Sequence, residues 1–210
     1  MNSSSGLICL SQQRWGVMSR RPQRVMLECS AERRVFFVEP PRYDAALVHG
    51  TVSPINPDLY LVVPHLRHGA SADVMRDQQR ALLMEVVEAY DIRRPILWFD
   101  SLQALEFSSW LPSALTIYDS MPEPSLGDLR QLEAEMLGRA DLVLTSDPSS
   151  FEGRRGKHDS VHVFPSKMDV LQHGANSDAP HETSFPSASS ADTWARMSRL
   201  IEEALRARAA

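Results

Sequence analysis

The apolar positions of this chain fall into two kinds of run. Short, wholly or mainly apolar stretches recur as Leu7-Ile8-Cys9-Leu10, Val35-Phe36-Phe37-Val38, Ile96-Leu97-Trp98-Phe99, Leu115-Thr116-Ile117-Tyr118, Leu142-Val143-Leu144-Thr145 and Val161-His162-Val163-Phe164. Runs of four without alternation suit strands covered on both faces, as in parallel sheets. Between them, apolar residues return at helical spacing. Val25, Met26 and Cys29 follow Pro22, which suits a first helical turn. Val74, Leu82, Leu83, Val86, Val87 and Tyr90 follow the candidate caps Ser71 and Asp73. Leu129, Leu132, Met136 and Leu137 share one side of a helix expected over 128–140. Two further strands are expected at 45–48 and 59–63, joined by 51–58, where Pro54, Asn56 and Pro57 are turn residues. Strands alternating with helices predict a single Rossmann-like α/β domain, doubly wound and mostly parallel, with right-handed crossovers.

The pattern changes near the end. Residues 176–190 are rich in Ser, Ala and Pro and read as a flexible linker. An amphipathic helix is then expected over 193–208, with Trp194, Met197, Ile201 and Leu205 on one stripe. A lone helix has no core of its own, so it is expected to dock on the α/β domain. The division expected is therefore a domain at 1–175, a linker at 176–191 and a helix at 192–210.

Composition narrows the classes. At 210 residues, 43% hydrophobic and 23% charged, the chain is long enough for one well-cored soluble domain plus a tail. A net charge of −5 argues against nucleic acid as the partner. Two cysteines, Cys9 and Cys29, are too few for a disulfide-built secreted domain and are expected as reduced core thiols in a cytoplasmic protein. The start of the chain lacks the signal-peptide pattern, and nothing reaches the ~20 apolar residues of a membrane span, so any membrane contact is expected to be peripheral.

In open α/β sheets, ligands bind beyond the carboxyl ends of the strands. Four loops there carry polar groups: Gln12, Gln13, Arg14 and Trp15 with Arg20 and Arg21; Asp100 and Ser101; Asp119, Ser120 and Glu123; Ser146 and Asp147. Aromatic faces stack on sugar rings and carboxylates accept from hydroxyls, so an Arg, Trp and Asp rim suits a carbohydrate. The plainer alternative makes Trp15 a lid on the sheet edge and the aspartates helix caps. Other chemistries lack their signatures. No G-x-G-x-x-G follows the first strand, and there is neither a phosphate-binding G-x-x-x-x-G-K-[ST] loop nor a G-x-S-x-G elbow. His65 and His68 are a weak metal pair and read as ordinary loop histidines, so no metal and no cofactor is expected.

An ordered set of motifs points further. It runs Leu7-Ile8-Cys9-Leu10-Ser11, Arg14-Trp15, Arg21-Pro22-Gln23, Arg34-Val35-Phe36-Phe37-Val38-Glu39-Pro40, Pro95-Ile96-Leu97-Trp98-Phe99 and Tyr118-Asp119-Ser120-Met121. It continues with Leu132-Glu133-Ala134-Glu135, Arg139-Ala140-Asp141-Leu142-Val143-Leu144-Thr145-Ser146, and His162-Val163-Phe164-Pro165-Ser166 with Met168-Asp169. In this order the set resembles the N-terminal domain of bacterial GT-B glycosyltransferases of the group-1 type. Ala191-Asp192-Thr193-Trp194 is similar to their last helix, which crosses back onto the first domain. Two positions depart from the family pattern: Pro122 stands where an acidic residue is usual, and Lys167-Met168 replaces a small residue and Val.

The resemblance implies a truncated layout, in which the C-terminal domain that binds the nucleotide-sugar is missing together with its E-x7-E motif. What remains is then the acceptor half of a transferase of carbohydrate biosynthesis, with Arg14, Trp15, Arg21, Asp100, Asp119 and Glu123 lining the acceptor side and Asp119 a weak candidate base. The competing reading is a non-catalytic module that binds a glycan, docks on a full-length glycosyltransferase, or self-associates through the uncovered cleft face. Arg14, Arg20, Arg21 and Arg24 follow the first strand and precede a helix, so an anion-tolerant groove for a phosphate or sugar phosphate is expected between Trp15 and Asp119. The alternative is a solvated basic face paired with Glu28 or Glu39.

Overall fold

A computed structural model describes residues 6–16, 21–120, 129–146, 148–164 and 190–209. Its centre is β1 (Leu7–Leu10), wholly buried and parallel to both β2 (Val35–Val38) and β5 (Ile96–Phe99). Outward from β2 come β4 (Leu59–His65) and β3 (His49–Asn56); outward from β5 come β6 (Leu115–Ser120), β7 (Leu142–Thr145) and β8 (Val161–Val163). The eight strands run in the order β3-β4-β2-β1-β5-β6-β7-β8, and every neighbouring pair is parallel except β3 with β4. The fold is therefore the expected Rossmann-like, mostly parallel α/β sheet.

The helices are α1 (Arg21–Cys29), α2 (Ala72–Ala89), α3 (Leu105–Ser108), α4 (Leu129–Arg139), α5 (Pro148–Arg155) and α6 (Ser190–Ala209). Side chains alternate along each strand, which divides the interior into two cores. Ile8, Leu10, Phe36, Leu97, Phe99 and Tyr118 face α2 and α4, where Leu83, Val86, Met136 and Leu137 meet them. Leu7, Cys9, Phe37, Trp98, Ile117 and Leu144 face α1 and α6. Ser71 caps α2 by accepting from the Val74 N–H at 3.4 Å, as its position before the apolar stripe predicts.

The hairpin corrects the sequence reading. Residues 45–48 are not a strand, and the stretch expected as a turn is β3 itself, closing at 57–58. As an edge strand β3 is exposed along most of its length, so it has no apolar run to announce it. Pro54 is tolerated because an edge position need not donate to a neighbour. The apolar run that misled, 45–48, instead follows the end of β4, with the Ala45 N–H donating to Leu66 O at 3.3 Å and Leu47 80% exposed.

The terminal helix docks as expected, beginning at Ser190, ahead of 193. Met197 and Ile201 are buried among Leu7, Cys9 and Phe37, while Trp194 and Leu205 pack half-buried at the margin. Each apolar side chain buried fully contributes about 1.5–3 kcal/mol, offset in part by ordering the helix. Three polar contacts fix its register. Arg33 Nη2 lies 2.9 Å from Glu202 Oε1, Arg208 Nη1 lies 2.7 Å from Asp141 Oδ2, and the Arg196 guanidinium sits 4.8 Å from the Phe164 ring centroid. The linker expected at 176–191 lies outside the described residues up to 189. Cys9 and Cys29 are free and buried; burial pushes the Cys29 thiol up to about 12 and Cys9 well above its ordinary value. Among the described residues, no helix is long and apolar enough to cross a membrane.

Candidate functional site

Strand order reverses at β1. From there β2 and β4 extend to one side and β5, β6 and β7 to the other, so the gap between the loops leaving β1 and β5 is the sheet's switch point. Two residues close it. The Ser11 hydroxyl, just past β1, donates to Asp100 Oδ2, just past β5, at 2.7 Å. The same Ser11 oxygen accepts the Gln13 N–H at 2.9 Å, which leaves its proton committed to Asp100.

Behind this contact lies a buried polar network on the α1 side. Asp119, in β6, is fully buried and ion-paired with Arg21, the first residue of α1, which also donates to Phe164 O just past β8. One guanidinium thus fastens α1 to the exits of β6 and β8. Burial pushes the Asp119 carboxyl upward, and the Arg21 charge pulls against it. Asp100 has no such cation in contact. Burial first, and the Asp119 charge second, push it up to about 8, with the Ser11 and Gln12 hydrogen bonds and Arg21 opposing. Burial thus disfavours charge on both carboxyls, and the Arg21 guanidinium is the cation that offsets it. Among the described residues, Asp100 Oδ1, Asp119 Oδ2, Ser120 Oγ and Ser146 Oγ are buried without a hydrogen-bond partner.

On the other side of the Ser11–Asp100 contact is an open cavity of about 400 Å³, between the carboxyl ends of β1 and β2 and helices α2 and α3. Ser11, Gln12, Glu39, Gln79, Ser101 and Gln103 give it hydroxyl, amide and carboxylate groups, while Pro40, Pro41, Tyr43 and Phe107 supply apolar walls. Glu39 anchors its rim. It is buried, accepts the Trp15 N–H at Oε1 at 2.6 Å, and has Arg14 Nη1 3.6 Å from Oε2. A lining of this kind orients a polyhydroxylated molecule and supplies no nucleophile paired with a base. Among the described residues there is no group of three side chains able to hold a metal ion. His65 Nδ1 is instead 2.8 Å from Asp44, and its ring stacks on His49 at 4.6 Å.

The sequence-predicted residues distribute as follows. Asp100, Asp119 and Arg21 come together in the buried network. Arg14 and Trp15 do not line the cavity: Arg14 Nη2 donates to Pro41 O beside it at 3.1 Å, and Trp15 packs edge-on against Phe37 at 5.0 Å in the core on the α1 side. Glu123 and Arg20 lie outside the described residues. The basic groove expected between Trp15 and Asp119 is not presented as a free rim, because Glu39 and Asp119 neutralise Arg14 and Arg21, leaving Arg24 exposed on α1. The sequence reading did not single out Glu39, Gln79 or Gln103 as site residues. Glu39 was within reach, since it follows a buried strand at the same edge as Asp100.

No protein-family model and no curated protein sequence matches the chain. Solved structures do. A sucrose-phosphate synthase structure from Thermosynechococcus elongatus superposes with a TM-score of 0.50 at 13% identity, covering 81% of this chain and 94% of that one. An E. coli trehalose-6-phosphate synthase structure bound with UDP-2-fluoro glucose superposes with a TM-score of 0.50 at 10% identity. That match covers 95% of this chain but 54% of the other, so the chain spans about half its length. Both are GT-B glycosyltransferases, and this chain shares their fold over the covered residues.

Proposed function

We propose that this chain is the acceptor-binding half of a GT-B sugar transferase of carbohydrate biosynthesis and does not catalyse transfer alone. The switch-point cavity carries the reading: a space of about 400 Å³ lined by Ser, Gln and Glu side chains at the carboxyl edge of a GT-B-like sheet. Its ligand is a glycan or a sugar phosphate, and the resemblance adds Arg14, Trp15 and Glu123 to the residues of the acceptor side. Arg21, Asp100 and Asp119 brace the strand ends beneath. In the family this chain resembles, the nucleotide-sugar domain lies between the first domain and the last helix. Here residues 165–189 separate Phe164 from α6, too few for a domain of ~50 residues or more.

The test has two arms. With a panel of nucleotide-sugars the chain alone is expected to release no nucleotide, and robust turnover would overturn the absence of catalysis. Titration with oligosaccharides and sugar phosphates, followed by NMR, is expected to shift Ser11, Gln12, Ser101 and Gln103. Shifts confined elsewhere would overturn the cavity assignment.

A further inference from the structure

At the opposite, amino-end edge of the sheet lies a second cavity, of about 520 Å³. Its floor is apolar: Leu97 and Phe99 of β5, with Leu105 and Leu111 beside them. Its mouth carries Arg94, Arg139 and Arg208, from the turn before β5 and the last turns of α4 and α6. Cations in a last helical turn also offset the helix dipole, so the positions of Arg139 and Arg208 do not by themselves make a site. Each of these two has a carboxylate nearby: Arg139 Nη2 is 2.9 Å from Glu135 and Arg208 Nη1 is 2.7 Å from Asp141.

Arg94 differs. It is exposed and has no acidic partner among the described residues, although its neighbour Arg93 takes Asp91 at 2.8 Å. Its backbone is left-handed, with φ at 44°, in a turn where Asp91 is left-handed too, at 46°. Non-glycine residues are rarely held this way, and such strain gathers at ligand sites. Asp141, which also accepts the Thr116 N–H at 2.7 Å, is tied into the fold. Three guanidinium groups thus face two carboxylates, an excess of one positive charge over an apolar floor.

We propose that this cavity binds an organic phosphate monoester, with the phosphate held by Arg94, Arg139 and Arg208 and a compact apolar body laid on Leu97, Phe99 and Leu111. Planar guanidinium forks match phosphate oxygens, and the volume falls within the ~300–1,000 Å³ of small-molecule sites. The site shares no lining residue with the switch-point cavity and does not depend on the function proposed above.

The experiment titrates the full chain with inorganic phosphate, hexyl phosphate and hexanol, read by calorimetry and by NMR shifts. Hexyl phosphate is expected to bind ~10-fold more tightly than inorganic phosphate, the effect of burying about two methylenes, with hexanol showing no binding. Arg94→Gln, at an exposed position, is expected to leave the fold intact and weaken hexyl phosphate ~10-fold. Arg139→Gln is expected to weaken it as well, with shifts centred on Leu97 and Leu111. Equal affinity for wild type and Arg94→Gln, equal affinity for the two phosphates, or shifts at Ser11 and Gln103 instead would each overturn the proposal.

Discussion

Asp100→Asn retains the side-chain size and an oxygen for the Ser11 hydroxyl, which now donates to Asp100 Oδ2 at 2.7 Å, but removes the ionisation. In the folded chain the carboxyl is pushed up to about 8, chiefly by burial. In the unfolded chain it titrates near 4. Across that window the folded state holds a proton that the unfolded state has released, so stability falls as pH rises. The contribution is fully present below about pH 4 and gone once pH passes about 8. The slope is roughly 1–1.5 kcal/mol per pH unit, on the order of 4 kcal/mol between pH 5 and 8. Asp119 is also pushed up by burial, so the quantity to read is the difference between the two chains. Urea unfolding followed by circular dichroism at pH 5, 6, 7 and 8 measures it. Wild type minus variant is expected to decline steadily with pH, the variant gaining on the wild type at each step. Parallel profiles would refute a protonated Asp100 in the folded chain.

Arg21→Met strands the fully buried Asp119 without its counter-charge and is expected to cost ~3–5 kcal/mol in urea unfolding; a loss under ~1 kcal/mol would mean the pair is not an ionic one. Ile201→Ala, at a site 3% exposed, is expected to cost ~2–5 kcal/mol and to shift Trp194 fluorescence to the red; unchanged unfolding and emission would contradict the docking of α6. Glu202→Gln is expected to cost under ~1 kcal/mol despite the 2.9 Å contact with Arg33, because the glutamate is 42% exposed; a larger loss in the same assay would show that the pair is insulated from solvent. Both thiols are expected to react with an aromatic disulfide at pH 8 at least ~100-fold more slowly in the folded chain than in urea, and equal rates would contradict their burial.

The parts of the fold legible in the sequence are those where burial is symmetric. Leu7–Leu10, Val35–Val38 and Leu142–Thr145 are covered on both faces, so nothing interrupts their apolar runs. The stripe of α6 was legible for a similar reason, since Met197 and Ile201 meet one surface. What escaped notice is what buries little. β3 is exposed along an edge and carries Pro54; α5 buries none of its residues; α3 is four residues long. For the site, strand-end position was enough to single out Asp100 and Asp119. Their environment was not legible, because the Arg21–Asp119 pair joins residues 98 apart and the Ser11–Asp100 bond joins residues 89 apart. Pairings across a sheet are set by strand order, which no local pattern encodes.

The docking of α6 has a consequence for how the chain is made. Leu7, Cys9 and Phe37 are synthesised well before Met197 and Ile201, which share their core. At ~5–20 residues per second, roughly 10–40 s of synthesis separate the two. Throughout that time the part of this face that α6 covers, and α1 does not, stands in water. Nascent chains are therefore most vulnerable to association during elongation, and most in need of a chaperone's shelter, until α6 is complete.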